Sequence, residues 1–497
     1  MKTSPFEAAP EDILRLVFKV SSKDDVVRLS KVNWRFKELL EPEIYHTIDW
    51  VWEEDSIPPI HFLLRTILTR PELASWIRNV KLTGETFHLP PFRMKKPPRI
   101  RIPKSEIGMI IAVVKESGVP NTIQWIDALG GGRDAVPIDN VARSEPMHLA
   151  TMDAVLAVLL SRLQNLTILH LGPNFTKETT ILGGMLKTAL CGFGEKNFGI
   201  SNFEKLREVT FSPRICIEKL WGRGNNDEKP NNSPCSLIFF SAPAIEHITA
   251  TIEEPQIFQW PGSPPSPSTL TSLDLTLLRE GTISHILSRC RNLQTLAYHF
   301  YADKASKHSH DRVQRSLRAL MVGERLMSSL ALVQGTLKSL VLTAHVTAHD
   351  FDGHEGDPES IDKPISLRGS FLQLETLEIP IVFLLGWAAS DKMKFGDVLP
   401  ENVRSVTLND DTWWGITWPD HEEIRLLNLI EEWFNDYRVC TPRLEKVRLV
   451  IKEMDEWYPE AMERFNIMGV NAGIEIEFEK LDPPDDYFWP RVGYMEG

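Results

Sequence analysis

Nine times along this chain three apolar residues recur in the frame L-x-x-L-x-L, and no other feature narrows the possible folds as far. The copies are Leu166-Leu169-Leu171, Leu206-Val209-Phe211, Ile245-Ile248-Ala250, Leu270-Leu273-Leu275, Leu293-Leu296-Tyr298, Leu337-Leu340-Leu342, Leu374-Leu377-Ile379, Val403-Val406-Leu408 and Leu444-Val447-Leu449. The last two positions of each frame alternate as a half-buried strand does. Hydrophobic residues make up 42% of the chain, so about one window in fourteen matches three apolar positions by accident. Context therefore decides. The copies open with similar wording, as in Leu163-Gln164-Asn165-Leu166, Cys290-Arg291-Asn292-Leu293 and Thr441-Pro442-Arg443-Leu444. Helix-length segments lie between them at 151–163, 176–190, 282–290, 311–333 and 422–434. Strand, helix and next strand joined by short links predict parallel strands on one face and helices on the other.

The frame resembles that of leucine-rich repeats, whose apolar positions point inward from a parallel strand. The resemblance implies an α/β solenoid with strands on its concave face and helices on its convex face. Successive anchors lie about 23 to 44 residues apart, so the array is expected to be irregular. Asn174 stands where such repeats carry a ladder of asparagines, but Arg214, Leu278, His345, Val382 and Asp411 fill that place in other copies. Polar or Pro/Ser-rich insertions at 222–234, 261–268 and 349–364 are read as loops.

Residues 10–40 read as three short amphipathic helices. Pro10 opens the first, Glu11 and Asp12 face the positive end of its dipole, and Ile13, Leu14, Val17 and Phe18 form an apolar stripe. Ser22 and Asp25 make an approximate capping box for the second, and Val32, Phe36, Leu39 and Leu40 line the third. About forty residues in three helices bury too little apolar surface to fold alone, so they must dock on the rest of the chain or on a partner. The runs Ala9-Pro10-Glu11-Asp12-Ile13-Leu14, Ser22-Lys23-Asp24 and Leu29 to Phe36 resemble the F-box, with Ala9, Asp12, Val20, Asn33 and Phe36 as departures from its usual wording. The resemblance implies docking on the Skp adaptor of a cullin–RING ubiquitin ligase through Pro10, Ile13, Leu14, Val17, Phe18, Leu29, Val32 and Phe36. The other reading of the same residues is an N-terminal helical cap on a larger core. Downstream, a helix is expected at 60–69 and a strand at 77–82. Arg70-Pro71-Glu72-Leu73 is similar to a phrase that begins the second domain of fungal F-box proteins. The expected organisation is an F-box-like module at 5–48, linker helices and a first strand at 49–104, and the irregular solenoid at 105–497.

Little else points to chemistry. The five cysteines form no C-x-x-C pair, which argues against a disulfide framework or cysteine-based zinc site and for a reducing compartment. No secretory signal or bilayer-length apolar run is evident, and the expectation is a cytoplasmic or nuclear protein without a membrane partner. A net charge of −13 disfavours nucleic acid, although Arg93, Lys95, Lys96, Arg99, Arg101 and Lys104 form a basic strip, read as a solvated loop. His345, His349, Asp350, Asp352, His354 and Asp357 lack the spacing of a zinc or calcium motif. Gly130 to Arg133 and Gly184 to Thr188 fall short of a phosphate loop. No catalytic residue, cofactor or metal is expected. Trp413, Trp414 and Trp418 are read as packing a loop onto the helix at 422–434. The outward strand positions Thr167, His170, Glu208, Glu246, Asp274, Thr295, Glu378 and Lys446 are where a protein target could be read. The expected function is substrate recognition for the ligase, and the alternative is a repeat scaffold with no ubiquitin role.

Overall fold

The computed structural model describes residues 6, 9–84, 86–88, 96–131, 147–192, 199–212, 233–255, 257–303, 321–347, 361, 363–386, 393–411, 422–451 and 459–481. The chain forms two compact units, Met1–Glu253 with Gln259–Leu270, and Glu254–Phe258 with Thr271–Gly497.

The first unit begins with α1 (Glu11–Val20), α2 (Lys23–Leu29) and α3 (Trp34–His46), and α3 runs without a loop into β1 (Thr47–Val51). Next come α4 (Ile60–Thr69), α5 (Pro71–Ala74), β2 (Asn79–Thr83), β3 (Ile100–Pro103), α6 (Lys104–Glu116), α7 (Thr122–Ala128) and β4 (Met147–Ala150). The unit continues through α8 (Met152–Ser161), β5 (Ile168–Leu171), α9 (Pro173–Thr176), α10 (Thr180–Leu190), β6 (Glu208–Phe211), α11 (Ser233–Ile238) and β7 (His247–Thr251). Its parallel strands run in the order β1-β2-β5-β6-β7. The basic strip is not all loop: Ile100 and Ile102 turn inward on β3, which pairs antiparallel with β4, while Arg101 stays outside and Lys104 opens α6.

The second unit contains β8 (Ser272–Thr276), α12 (Ile283–Leu287), β9 (Thr295–Asp303), α13 (Gly323–Leu330), β10 (Ser339–Thr347), β11 (Thr376–Pro380), α14 (Ile381–Leu385) and α15 (Phe395–Val398). It ends with β12 (Ser405–Asn409), α16 (Glu422–Cys440), β13 (Lys446–Ile451), α17 (Pro459–Ala472) and β14 (Glu475–Lys480). All seven strands are parallel and pair in chain order.

Every one of the nine frames is a strand, and the middle apolar position of each is held in one register. In the first unit Ile48, Val80, Leu169, Val209 and Ile248 are successive partners. In the second, Leu273, Leu296, Leu340, Leu377, Val406, Val447 and Ile476 continue the pattern. All but Ile476 are buried. The first frame position is buried too, ahead of the strand, and closes the turn beneath it. The α/β class and the parallel strands are thus those expected, and β1, β2, β3, β4 and β14 are strands the frame does not reach.

Polar side chains join the repeats where an asparagine ladder would. Asn174, 2% exposed, donates from Nδ2 to the Trp52 carbonyl at 2.5 Å and accepts the Phe87 N–H at 2.9 Å. Asp411 accepts the Ala344 N–H at 3.1 Å. Elsewhere carboxylates from another repeat cap a helix start. Asp153 on α8 accepts from Ile181 and Leu182 at 2.8 and 2.9 Å, at the head of α10. Glu254 accepts the Arg279 N–H at 2.8 Å and the Thr282 hydroxyl, just before α12. Buried Glu280 accepts the Val322 N–H at 3.4 Å, before α13. Arg214 lies outside the described residues, as does the side chain of His345.

Asn174→Ala strands a buried carbonyl and a buried N–H and should cost about 2–4 kcal/mol, read by chemical denaturation. Burial pushes the Asp153 carboxyl up to about 6 from an ordinary 3.8, against the pull of its backbone donors. Between those values the native chain holds a proton that the unfolded chain has lost, so stability falls as pH rises from about 4 to about 6, by about 3 kcal/mol at most. Asp153→Asn removes that slope in melts recorded across the window.

Candidate functional site: the N-terminal helices and the open sheet face

The three N-terminal helices enclose a small core of their own. Leu14, Phe18, Val26, Phe36, Leu39 and Leu40 are buried together, with Ala9, Leu29 and Ile44 partly covered at its margin. Phe6, Phe18 and Phe36 meet edge-on with centroids 5.4 to 6.4 Å apart. The local signals in the sequence explain the ends. Ser22 caps α2 by accepting the Asp25 N–H at 3.2 Å, and its hydroxyl donates back to the Asp25 carboxylate at 2.7 Å. Asn33 caps α3 by accepting the Phe36 N–H at 2.8 Å. Pro10 occupies the N-cap of α1, one residue before the first helical position.

The residues expected to meet an adaptor divide into two groups. Leu14, Phe18 and Phe36 are no more than 2% exposed, so their side chains hold the helices together and reach a partner only through the fold they maintain. Pro10, Ile13, Val17 and Val32 are exposed, and Leu29 is half-buried. Around them the structure adds three residues that the sequence reading did not select. Leu16 is 63% exposed, Val20 85% and Trp34 71%. On α1 the exposed set Ile13, Leu16, Val17 and Val20 follows the i, i+3, i+4, i+7 spacing of a helix face. This helix is apolar on two sides: one stripe is consumed by the internal core, and the other is presented to solvent. Signal for the second stripe was available in the spacing, but nothing in the residue types tells which stripe faces in.

The module is fastened to the rest of its unit by charge and by backbone. Arg70 forks onto Glu41 of α3 with bonds of 2.7 and 2.8 Å, and its Nε donates to Glu72 at 2.8 Å. Glu41 is buried and Arg70 is not, and the guanidinium hydrogen bonds hold the Glu41 carboxyl below its usual range against the cost of burial. Lys23 of α2 donates to the Thr47 carbonyl of β1 at 3.1 Å. The boundary expected at residue 48 therefore falls inside a strand.

A second surface is the open face of the sheets. Of the outward residues named from the sequence, His170 lies 2.7 Å from Glu208, Glu246 lies 3.5 Å from Arg207, and Lys446 meets Glu475 and Glu477 at 2.9 and 2.7 Å. His299 bridges Asp274, 3.2 Å from its Nε2, and the Thr343 hydroxyl, 2.7 Å from its Nδ1. Thr167 bonds the Arg78 carbonyl at 3.0 Å.

His349, Asp350, Asp352, His354, Asp357, Trp413, Trp414 and Trp418 lie outside the described residues, and no group of metal-ligating side chains occurs among those described. Gly184 to Thr188 is an interior stretch of α10. Cys191, Cys235, Cys290 and Cys440 are free thiols, and burial pushes Cys235 and Cys290 up to about 12, which keeps them protonated and unreactive at neutral pH. No described helix is long and apolar enough to cross a membrane. No protein-family model matches the chain, and no curated protein is a significant match to it.

Two kinds of substitution separate core from surface in the module. Phe18→Ala should cost about 3–5 kcal/mol, whereas Leu16→Ser or Val20→Ser should stay within about 0.5 kcal/mol, both read from thermal or urea unfolding. Glu41→Gln destabilises at neutral pH. Its effect shrinks as pH drops through the low range where the native carboxyl takes up its proton, because the lowered value gives stability above the ordinary carboxylate range and loses it below.

Proposed function

We propose that this chain is a substrate-recognition subunit of an SCF-type cullin–RING ubiquitin ligase. The N-terminal helices are the F-box, docking on the Skp adaptor, and the repeats are a leucine-rich-repeat-like solenoid that receives a protein target. The observation that carries the reading is the exposed stripe Ile13, Leu16, Val17 and Val20 on a helix whose opposite side is already buried. A helix face of that kind stays in water only at a cost and suits a groove or helix on a partner. The order and identities of the F-box-like runs select the adaptor as that partner. Such a subunit performs no reaction itself. It holds the target near a charged enzyme carried elsewhere in the assembly, and the acceleration is one of proximity. The site of action is the cytoplasm or nucleus, where such ligases work.

A second reading has an observation in its favour. Lys23 bonds the backbone of the first strand, and α3 passes directly into that strand, as a cap on a repeat array would. In this reading the chain is a repeat scaffold without a ubiquitin role.

The two readings part on one experiment with the full chain. Co-purification with a purified Skp adaptor should give a stable complex, and Leu16→Asp together with Val20→Asp should abolish it while leaving the melting temperature unchanged. Failure of the unaltered chain to retain the adaptor, or retention by the double variant, rules out the ligase reading and leaves the cap.

A further inference from the structure

Most charges on the open face of the second unit are satisfied within the sheet. Arg404 meets Glu445 at 3.0 Å, Lys446 meets Glu475 and Glu477, and Arg448 meets Glu477 and Glu479. Glu378 is different. It sits half-exposed in the middle of β11 with no ion pair or side-chain hydrogen bond among the described residues. Its register partners are Val341 on β10 and Thr407 on β12. The same row continues through Ala297 on β9 to Asp274 on β8. Across four strands it reads carboxylate, valine, alanine, carboxylate, and all four side chains are half-exposed, with Asp274 also 3.2 Å from Nε2 of His299. Two residues toward the strand N-termini, Ser272, Thr295, Ser339, Thr376 and Ser405 stand in register on five successive strands. Hydroxyls donate or accept equally well, so that row can follow a backbone laid across the strands.

Spacing then defines what fits. Strands lie about 4.8 Å apart, which puts Glu378 and Asp274 about 14 Å from one another. An extended chain repeats its same-side side chains every 6.7 Å or so, which puts positions i and i+4 about 13 Å apart. We infer that this face binds an extended segment of a partner protein carrying basic side chains at i and i+4 and an aliphatic one at i+2. The basic groups pair with Glu378 and Asp274, the aliphatic group covers Val341 and Ala297, and the backbone runs along the hydroxyl row. A second copy of the chain is the poorer occupant, because a net charge of −13 repels it, whereas a basic segment is drawn in. The assignment concerns the sheet face alone and does not depend on the adaptor reading.

Fluorescence polarisation on the full chain tests it. The probe is a labelled heptapeptide with arginine at its second and sixth positions, valine at its fourth and serine elsewhere. Saturable binding is expected at physiological salt, weakened about threefold to fivefold by Glu378→Gln and further by Glu378→Lys, with unfolding curves unchanged. A peptide of the same composition with adjacent arginines should bind more weakly. Absence of saturable binding, equal binding of the two peptides, or indifference to Glu378→Lys overturns the proposal. So does a concentration-dependent dimer that Glu378→Lys dissolves, since the occupant would then be a second copy.

Discussion

One row of aliphatic side chains, held in a single register within each unit, is the constraint on which everything else depends. In the second unit the row from Leu273 to Val447 is buried on six consecutive strands. A slip of one residue on any strand would turn that strand's buried residues to the open face and its Ser, Thr and charged residues to the core. Each strand is four to nine residues long and marginal by itself, and acquires its position from the neighbour that precedes it. The open face inherits its order from the same row. Ion pairs such as Lys446 with Glu475 and the hydroxyls from Ser272 to Ser405 line up only because the aliphatic residues beside them do.

The intervening segments vary in length, and the chain meets that irregularity with side chains instead of a repeated turn. A regular repeat can satisfy its buried backbone with one asparagine per turn. Here Asn174, Asp153, Glu254, Glu280 and Asp411 each do that work at a different sequence distance. Carboxylates are well suited to it, since two oxygens can accept two N–H groups at a helix start, where the dipole favours negative charge. The consequence of burying them appears in Asp153 and Glu280, whose affinity for a proton rises.

Much of this was legible in the sequence, and the misses have physical causes. The frames were readable because a strand buried on one face must alternate, and the third and second apolar positions are two residues apart. β1 was hidden because Thr47-Ile48-Asp49-Trp50-Val51 follows a helix without a turn signal. β14 was hidden because Gly473 stands where the first apolar position of the frame would fall, although Ile476 and Phe478 keep the alternation. The N-terminal helices were placed to within a residue at α1, since capping residues are local. The division of Leu14, Phe18 and Phe36 from Ile13, Val17 and Val32 was not readable, because α1 has apolar residues on two sides and only packing chooses between them.

The passage from α3 into β1 bears on how such a chain can be taken apart. Ile48 is at once the second residue after a helix of the N-terminal module and the first rung of the aliphatic row. A cut or fusion junction at this point would remove a core residue of the array and free the carbonyl that Lys23 occupies. The module is therefore not a cassette that can be exchanged between proteins at its apparent edge. A joint satisfying both sides has to be sought beyond Trp52, whose N–H is already committed to the Thr83 carbonyl of the next strand.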